Sequence, residues 1–434
     1  MLRRPRRGPV PHDRRRSAHA VRRRGRGRRG VPRRAVVLPE ALDAEHIPRV
    51  ACAPPGPHAV GGGLPMTDAL FEAWRGRYAD SPRALSLELA RRFPSIRQRW
   101  VHDGTADPPP APVVRRHSPA YFARLLASDL LVSNDIISKH LVKGPGVTYV
   151  QTWHGTPLKV IGLDERDSAY AGAQAHRERM LRDVAKWDIL LSPSPTCTRI
   201  LRGAFGFDGE VLESGYPRND MLVDDDGTTR ARMRASLGIP EDATAVLYAP
   251  TWRDDAKNAD GQFVHPVDFP YARALEVLPP GSVVLNRLHK NVHAPAGSTH
   301  PRVVEVSAHP EIAELFLASD VLVSDYSSAI FDFAVTGKPI VLFSPDLEHY
   351  RGSLRPFYFD YETWAPGPVA RTADELVAFL EEPSEVARTS RDRYATFVET
   401  FCPHEDGRAS ERVIDALVAR GVLSAPRDLR DRAS

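Results

Sequence analysis

The segment VLVSDYSSAIFDFAVTGKPIVLF, residues 321–343, contains the pattern that decides the fold. Val321–Ser324 is a short apolar run typical of a buried strand, and the residues at 325 and 326 predict a turn. A helix is predicted at 329–335, and a second apolar run follows at Ile340–Phe343. A strand, a helix and another strand in this order are typical of a parallel sheet covered by helices.

The same succession of strands and helices recurs on both sides of a polar loop at 223–229. We therefore predict two doubly wound α/β domains around a cleft, at 66–225 and 226–425. A helix around 407–420 is expected to return and brace the first domain. The other predicted strands are 100–101, Leu130–Ser133, 148–152, Ile189–Ser192 and 211–214 before the loop, and Ala245–Tyr248, 283–288 and 303–306 after it.

The composition is that of a globular protein in a reducing environment. The 434 residues exceed one ordinary core. A content of 42% hydrophobic and 26% charged residues is typical of soluble domains. Cys52, Cys197 and Cys402 are widely spaced and form no zinc pattern, which predicts unpaired thiols. No apolar run approaches the roughly 20 residues that a membrane-spanning helix needs.

Arginines are concentrated at the amino terminus. Residues 1–34 contain fifteen arginines and one aspartate, a net charge of +14, whereas the whole chain has +4, so the remainder is acidic at −10. We interpret residues 1–65 as a disordered tail rich in Arg, Pro and Gly, or as sequence that precedes a translation start at Met66. An arm that binds nucleic acid is the alternative from another class of function.

The segment QTWHGTPLK, residues 151–159, places His154 directly after a predicted strand. Many α/β enzymes carry catalytic groups at the carboxyl ends of strands, so this imidazole is a candidate base. In the same segment, Trp153, Gly155 and Thr156 are candidates to support the cleft, and Lys159 is a candidate phosphate ligand.

The turn of SDYSS offers a second candidate site. Ser327 and Ser328 lie where a helix begins, and a helix N-terminus presents backbone N–H groups to a phosphate. An ordinary helix cap without a ligand explains the same two serines. Asp325 precedes them in the turn, and Asp332, one turn into the helix, either ties the loop down or faces solvent.

Two more strand ends carry polar groups. In YAPTWRDD, residues 248–255, the hydroxyl of Thr251 and the guanidinium of Arg253 suit phosphate oxygens. An ion pair of Arg253 with Asp254 or Asp255 in a surface loop is the competing interpretation. The segment NRLHKNVH, residues 286–293, supplies the candidate donor ligands Asn286 and Arg287 and the candidate catalytic residue His289.

A lone histidine is more often structural than catalytic, but His154 and His289 follow strands in opposite domains. We expect them to face each other across one cleft, where an imidazole accepts a proton or stabilises phosphate charge.

The segment SGYPRND, residues 214–220, is predicted to be a turn first of all, and Arg218 and Asp220 are candidates to line the cleft. No metal is expected, because Arg, Lys, His and helix N-termini suffice to neutralise phosphates.

Six segments match a known family in order: QTWHGTPLK, SGYPRND, YAPTWRD, RLHKN, SDYSSAIFDFAVTGKPIVLF and RPFYFDYE. Together they resemble the CDP-glycerol glycerophosphotransferases, the polymerases and primases of wall teichoic acid and related capsule polymers. Six motifs in one order are far more specific than any one of them. The resemblance implies a GT-B-like fold of two Rossmann-like domains, with the nucleotide donor held mainly by the second.

The resemblance also implies the reaction. Glycerol phosphate would pass from CDP-glycerol to a hydroxyl of a polyprenyl-linked acceptor, with release of CMP and without a cofactor. In this family the histidine of WHGTPLK is the base and that of RLHPN lies at the donor phosphates. Those roles fall on His154 and His289, and the pyrophosphate contacts of SDYSS fall on Asp325, Ser327 and Ser328.

Two positions depart from the family pattern. Lys290 replaces the proline of RLHPN, and Pro356 replaces the glycine of RGFYFDYE. The lysine adds a cation beside the donor site, whereas the proline removes a backbone N–H and stiffens a loop. A CDP-ribitol or nucleotide-sugar transferase on the same scaffold remains the alternative enzyme.

The family's lipid-linked acceptor implies a cytoplasmic enzyme held at the inner face of the cell membrane. A predicted helix with Leu85 and Leu89 on one face and Arg91 and Arg92 beside it would suit an anionic surface. A core-facing helix with a solvated basic face explains the same pattern. The motifs distinguish neither polymerase from primase nor one oligomeric state from another.

Overall fold

The computed structural model describes residues 68–105, 108–137, 142–165, 173–253, 255–256, 258, 264–288, 292 and 300–423. The interpretation of residues 1–65, and the roles predicted for His289 and Lys290, lie outside the described residues. The described residues belong to one compact unit.

The first sheet of this unit is entirely parallel in its described strands. Its seven strands have the order β3-β2-β1-β4-β5-β6-β7, so the direction of winding reverses between β1 and β4. The strands are β1 (Asp68–Glu72), β2 (Arg97–His102), β3 (Val113–Arg115), β4 (Leu130–Ser133), β5 (Thr148–Gln151), β6 (Ile189–Ser192) and β7 (Glu210–Glu213).

The second sheet repeats this architecture with six described parallel strands in the order β10-β9-β8-β11-β12-β13. Its winding reverses between β8 and β11. The strands are β8 (Ala245–Tyr248), β9 (Val283–Asn286), β10 (Val303–Glu305), β11 (Val321–Ser324), β12 (Ile340–Phe343) and β13 (Val369–Ala370). The prediction of an α/β fold with two doubly wound sheets is confirmed.

Helices cover the faces of both sheets. Local signals set several ends: Ser118 and Ser194 cap helices with their hydroxyls, and Gly206 ends one in a left-handed conformation. The described helices are α1 (Asp80–Arg92), α2 (Pro119–Ala127), α3 (Ala173–Val184), α4 (Pro195–Phe205), α5 (Asp220–Asp224), α6 (Thr228–Ser236), α7 (Tyr271–Val277), α8 (Ile312–Ala318), α9 (Ala329–Ala334), α10 (Leu347–His349), α11 (Tyr361–Trp364), α12 (Ala373–Glu381), α13 (Pro383–Phe401) and α14 (Ala409–Ala419).

The structure corrects the sequence interpretation at β1 and at the loop between the sheets. The sequence DALFE was not recognised as a strand because it is bounded by Asp68 and Glu72, which are buried here. Ion pairs compensate their burial, with Arg99 and Arg124 on Asp68 and Arg116 on Glu72. The loop predicted at 223–229 is present but shorter, since α5 ends at Asp224 and α6 begins at Thr228.

The last helix returns to the first sheet. Residues of α14, including Val413, Ile414 and Leu417, share a buried cluster with Leu85 and Leu89 of α1. The basic residues of α1 are paired, Arg91 with Glu88 and Arg92 with Asp415. Helix α1 therefore packs against the core and leaves a basic face in solvent, which was the alternative to a membrane-binding helix. In the part of the chain that the structure describes, no helix is both long enough and apolar enough to cross a membrane.

Candidate active site

Both sheets place polar segments at the point where their winding reverses. In open α/β sheets ligands bind in the crevice at this point, outside the carboxyl ends of the strands. In the first sheet, Trp74 follows β1, Asn134 follows β4, and His154 follows β5 beside it. In the second sheet, Thr251 follows β8 and the SDYSS turn follows β11. The motifs with candidate chemistry thus lie at two equivalent crevices.

The loop after β5 holds the His154 ring in a defined position. Trp153 has a positive φ of 53°, which is uncommon for a bulky residue, and its N–H donates to Gln151 Oε1 at 2.9 Å. The ring of His154 lies between two indoles, 4.1 Å from Trp153 and 4.8 Å from Trp74 between centroids. The strained turn and the flanking aromatic rings fix the direction in which the imidazole points.

A backbone contact sets the tautomer of His154. Its Nδ1 makes a short hydrogen bond with the carbonyl oxygen of Asn134. Because a carbonyl oxygen only accepts, Nδ1 carries the proton and the neutral ring presents Nε2 as an acceptor. This is the form that a general base requires.

The SDYSS turn is anchored by Asp325. The N–H of Thr251 donates to Asp325 Oδ1 at 2.7 Å, and Arg253 Nη2 lies 2.9 Å from Oδ2. Ser327 Oγ accepts from the N–H of Ala329 at 3.2 Å, which is a helix-capping contact. The buried Thr251 Oγ1 has no hydrogen-bond partner among the described residues, so this hydroxyl is available to a ligand.

The two crevices face each other. A Cβ added to Gly155 would lie 2.7 Å from Ser328 Oγ, so the loop after β5 touches the turn after β11. Beside this contact, Lys159 pairs in an antiparallel bridge with Phe357. The N–H of Val160 donates to the Pro356 carbonyl at 2.9 Å. The structure therefore brings the loop that carries His154 into contact with the SDYSS turn at Gly155 and Ser328, while Thr156 of the same loop is buried.

Arg253 lies at the donor side of the cleft but does not present its charge there. Its side chain is 1% exposed and pairs with Asp325 and with Asp346, at 2.8 Å to the latter. Its guanidinium carbon also lies 4.9 Å from the ring centre of Tyr326 and 4.8 Å from that of Tyr350. The structure corrects the prediction of a direct phosphate contact: the donors of Arg253 are directed at these two carboxylates and at the carbonyl of Thr251, so this side chain fixes the turn.

Asn286 and Arg287 also differ from the prediction. Asn286 is fully buried, accepts from the Tyr271 hydroxyl and donates to Glu305 at 2.8 Å. Arg287 donates to the carbonyls of Val306 and His309. Burial lowers the pKa of Arg287, whereas nearby carboxylates oppose that effect. These contacts assign both residues to the support of the strand end rather than to contact with the donor.

Arg218 and Asp332 connect the lobes. Arg218, from the SGYPRND turn, lies 3.0 Å from Asp332 of α9 and 3.4 Å from Asp80 of α1. Asp332 therefore ties the SDYSS helix to the first lobe, as one of the two sequence interpretations held. Asp220, the other candidate of this turn, accepts from the N–H groups of Ala409 and Ser410 and does not line the cleft.

Sequence analysis missed Asn134, Trp74 and Asp346. Asn134 directly follows the predicted strand Leu130–Ser133, and Asp346 follows Ile340–Phe343, so a search of every strand end would have found them. Trp74 follows β1, which was itself not recognised. Within the described ranges, no group of three or more His, Cys, Asp or Glu side chains is arranged to hold a metal ion.

Comparisons with known proteins agree with this geometry. A family model for CDP-glycerol:poly(glycerophosphate) glycerophosphotransferases matches residues 64–419. The teichoic acid glycerol-phosphate transferase of Staphylococcus aureus (strain NCTC 8325 / PS 47) is 34% identical over 80% of this chain and 92% of its own length. The teichoic acid poly(glycerol phosphate) polymerase of Bacillus subtilis (strain 168) is 33% identical over 80% of this chain, which spans 48% of that polymerase.

A solved structure is similar over most of the chain. It is a variant of the wall teichoic acid polymerase TagF that was soaked with CDPG. The TM-score is 0.75 at 31% identity, over 83% of this chain and 90% of that one. At this identity the similarity extends beyond the fold to the sequence.

Proposed function

Because this chain belongs to the CDP-glycerol:poly(glycerophosphate) glycerophosphotransferase family, we propose that it transfers glycerol phosphate from CDP-glycerol to a hydroxyl group and releases CMP. The proposed acceptor is lipid-linked, and the product is teichoic acid or a related cell-surface polymer. The observation that carries this proposal is the contact of the His154 loop with the SDYSS turn, at Gly155 and Ser328.

The proposed reaction is an in-line displacement at phosphorus. Nε2 of His154 takes the proton of the acceptor hydroxyl while the oxygen of that hydroxyl attacks the β-phosphorus of CDP-glycerol. A new P–O bond forms, and the bond between the β-phosphorus and the bridging oxygen breaks. CMP leaves with that electron pair. The hydrogen bond to Asn134 selects the tautomer with the proton on Nδ1, which makes Nε2 the acceptor nitrogen for this step.

The negative charge of the phosphates of CDP-glycerol requires hydrogen-bond donors that point into the cleft. We propose the hydroxyls of Thr251, Ser327 and Ser328 as donor contacts, with Lys159 as the nearby cation. Thr251 is favoured by its buried and unpartnered hydroxyl. The role of His289 at these phosphates stays a prediction, as does the absence of a metal requirement.

A lipid-linked acceptor would place the enzyme at a membrane. We therefore propose peripheral association with the inner face of the cell membrane, driven by the acceptor rather than by α1. The ion pairs of Arg91 and Arg92 leave this helix no excess of free cationic groups to offer an anionic surface.

The decisive experiment replaces the proposed base. In the full chain, His154→Ala should lower kcat with CDP-glycerol and a short glycerol phosphate acceptor by about 10²–10⁴-fold, as expected for loss of a general base. The Kd of CDP-glycerol, measured by calorimetry, should stay within about twofold because the ring does not hold the donor. His300→Ala, in the turn before the edge strand β10, is the control. A loss of donor affinity as large as the loss of rate would refute the base role.

A further inference from the structure

A cavity of about 380 Å³ opens in the first lobe beside His154, away from the SDYSS turn. Trp153 and His154 form one wall, and His176 and Arg177 of α3 form another. Arg355, which follows the π-helical turn Tyr350–Leu354 of the second lobe, closes the cavity. The donor site described above uses none of the residues contributed by α3 or Arg355, so this cavity needs another occupant.

Positive charge converges on His176 from three separate parts of the chain. Arg179 Nη2 lies 2.7 Å from His176 Nδ1 on the same helix. Burial lowers the pKa of His176, and the charges of Arg179, Arg355 and Arg75 lower it further. Arg75 comes from the turn after β1 and Arg355 from the other lobe. An anion beside His176 would be attracted by the guanidinium groups of these three arginines.

Two carboxylates, Asp135 and Glu165, line the cavity together with Arg177 and Arg355. Asp135 Oδ2 lies 3.3 Å from Arg75 at the rim, and Glu165 Oε1 lies 3.9 Å from Arg355. Carboxylate oxygens accept hydrogen bonds from hydroxyl groups and repel anions. The cavity thus offers cations for a phosphodiester and acceptors for hydroxyl groups, and His154 forms part of its wall.

We propose that this cavity binds the terminal polyol phosphate unit of the acceptor chain, with its phosphodiester against His176 and Arg355 and its free hydroxyl toward His154. The inference rests on the proposed function and names the subsite that positions the nucleophile. Only a few bonds separate the terminal hydroxyl of a glycerol phosphate unit from its phosphodiester. Both ends therefore reach their partners within one cavity whose wall contains His154.

The test compares two acceptors that differ only in charge. One is a short glycerol phosphate oligomer, and the other carries an uncharged methylphosphonate in place of its last phosphodiester. The wild-type chain should prefer the anionic acceptor by about tenfold or more in kcat/KM, as expected for charge-assisted hydrogen bonds. Arg355→Gln and His176→Gln should each reduce this preference severalfold, while the KM of CDP-glycerol stays unchanged.

Arg351→Gln is the matched control, because Arg351 lies on the same turn but is exposed and pairs with Glu348 at 2.6 Å. Calorimetric titration of the anionic oligomer without CDP-glycerol gives an independent readout, and only the cavity variants should weaken this binding. Equal use of both acceptors by the wild-type chain, or unchanged preference in both variants, would overturn the subsite. If the wild-type chain binds the oligomer but transfers nothing from CDP-glycerol, the proposed function fails instead.

Discussion

Single residues at strand ends separate into those that present a group to the cleft and those that hold such a group in place. His154 belongs to the first kind, since its Nδ1 is satisfied by Asn134 and its Nε2 is directed elsewhere. Arg253 belongs to the second, because its charge is balanced by Asp325 and Asp346. A buried arginine between two carboxylates is costly to remove, since the carboxylates remain buried without a counter-charge.

We predict that Arg253→Gln lowers the free energy of unfolding by about 3–5 kcal/mol, as for other buried ion pairs that lose one partner. Denaturant titration measures this change. Arg253→Lys keeps the positive charge but loses the forked guanidinium group, so its stability should lie between those of the wild-type chain and Arg253→Gln. The exposed Arg351→Gln should change stability by less than about 1 kcal/mol. An unchanged free energy of unfolding together with a tenfold higher KM for CDP-glycerol would restore Arg253 as a direct phosphate ligand.

At the scale of elements, the cleft is formed by loops that touch. The loop after β5 meets the turn after β11 at Gly155 and pairs with the strand-like segment around Phe357. Pro356 contributes its carbonyl to this pairing, as acceptor from Val160. The N–H that proline lacks is not used in this bond, so the replacement of the family's glycine leaves the contact intact.

Gly155→Ala should disturb the cleft. The new Cβ would lie 2.7 Å from Ser328 Oγ and 3.1 Å from its Cβ, so the Ser328 side chain must move out of its place in the SDYSS turn. We expect kcat/KM for CDP-glycerol to fall about tenfold, with an overpacking cost of about 1–3 kcal/mol in stability. Gly203→Ala, in open space within α4, is the control and should be neutral or stabilising. A folded Gly155→Ala protein with wild-type kcat/KM would show that catalysis does not depend on the close approach of Gly155 to Ser328.

At the scale of the whole molecule, buried charges connect the lobes. Arg218 bridges Asp332 of the second lobe and Asp80 of the first. Glu405, between α13 and α14, accepts from the N–H of Tyr216 in the same turn as Arg218. Burial, with a smaller contribution from Asp332, raises the pKa of Glu405 to about 8, against the opposing effects of the Tyr216 hydrogen bond and of Arg218.

This shift predicts a pH dependence of stability. The folded chain holds a proton on Glu405 up to a pKa of about 8, whereas an unfolded glutamate loses it near its ordinary value. Between these two values the native state binds more protons, so this group makes stability fall as pH rises toward 8 and level off above. Glu405→Gln should flatten the curve of unfolding free energy between pH 5 and about 9, and should be the more stable protein at the upper end. Parallel curves for both proteins would contradict the buried, protonated carboxyl.

The sequence by itself determined the α/β class, most strand positions and the motifs at the strand ends. These features are local, because a strand is recognised from a few consecutive apolar residues and a turn from the residues that interrupt them. Local pattern also sufficed to select the QTWHGTPLK loop and the SDYSS turn, which touch at Gly155 and Ser328.

Tertiary contacts alone set which charged residues face the cleft and which form ion pairs with other side chains. Arg218 meets an aspartate 114 residues away, and Arg253 meets one 93 residues away, so no local pattern reveals either pair. The same cause hid β1, whose acidic ends are tolerated inside the sheet because arginines from β2 and α2 neutralise Asp68. Burial of a charge depends on distant counter-charges, and only folding brings those together.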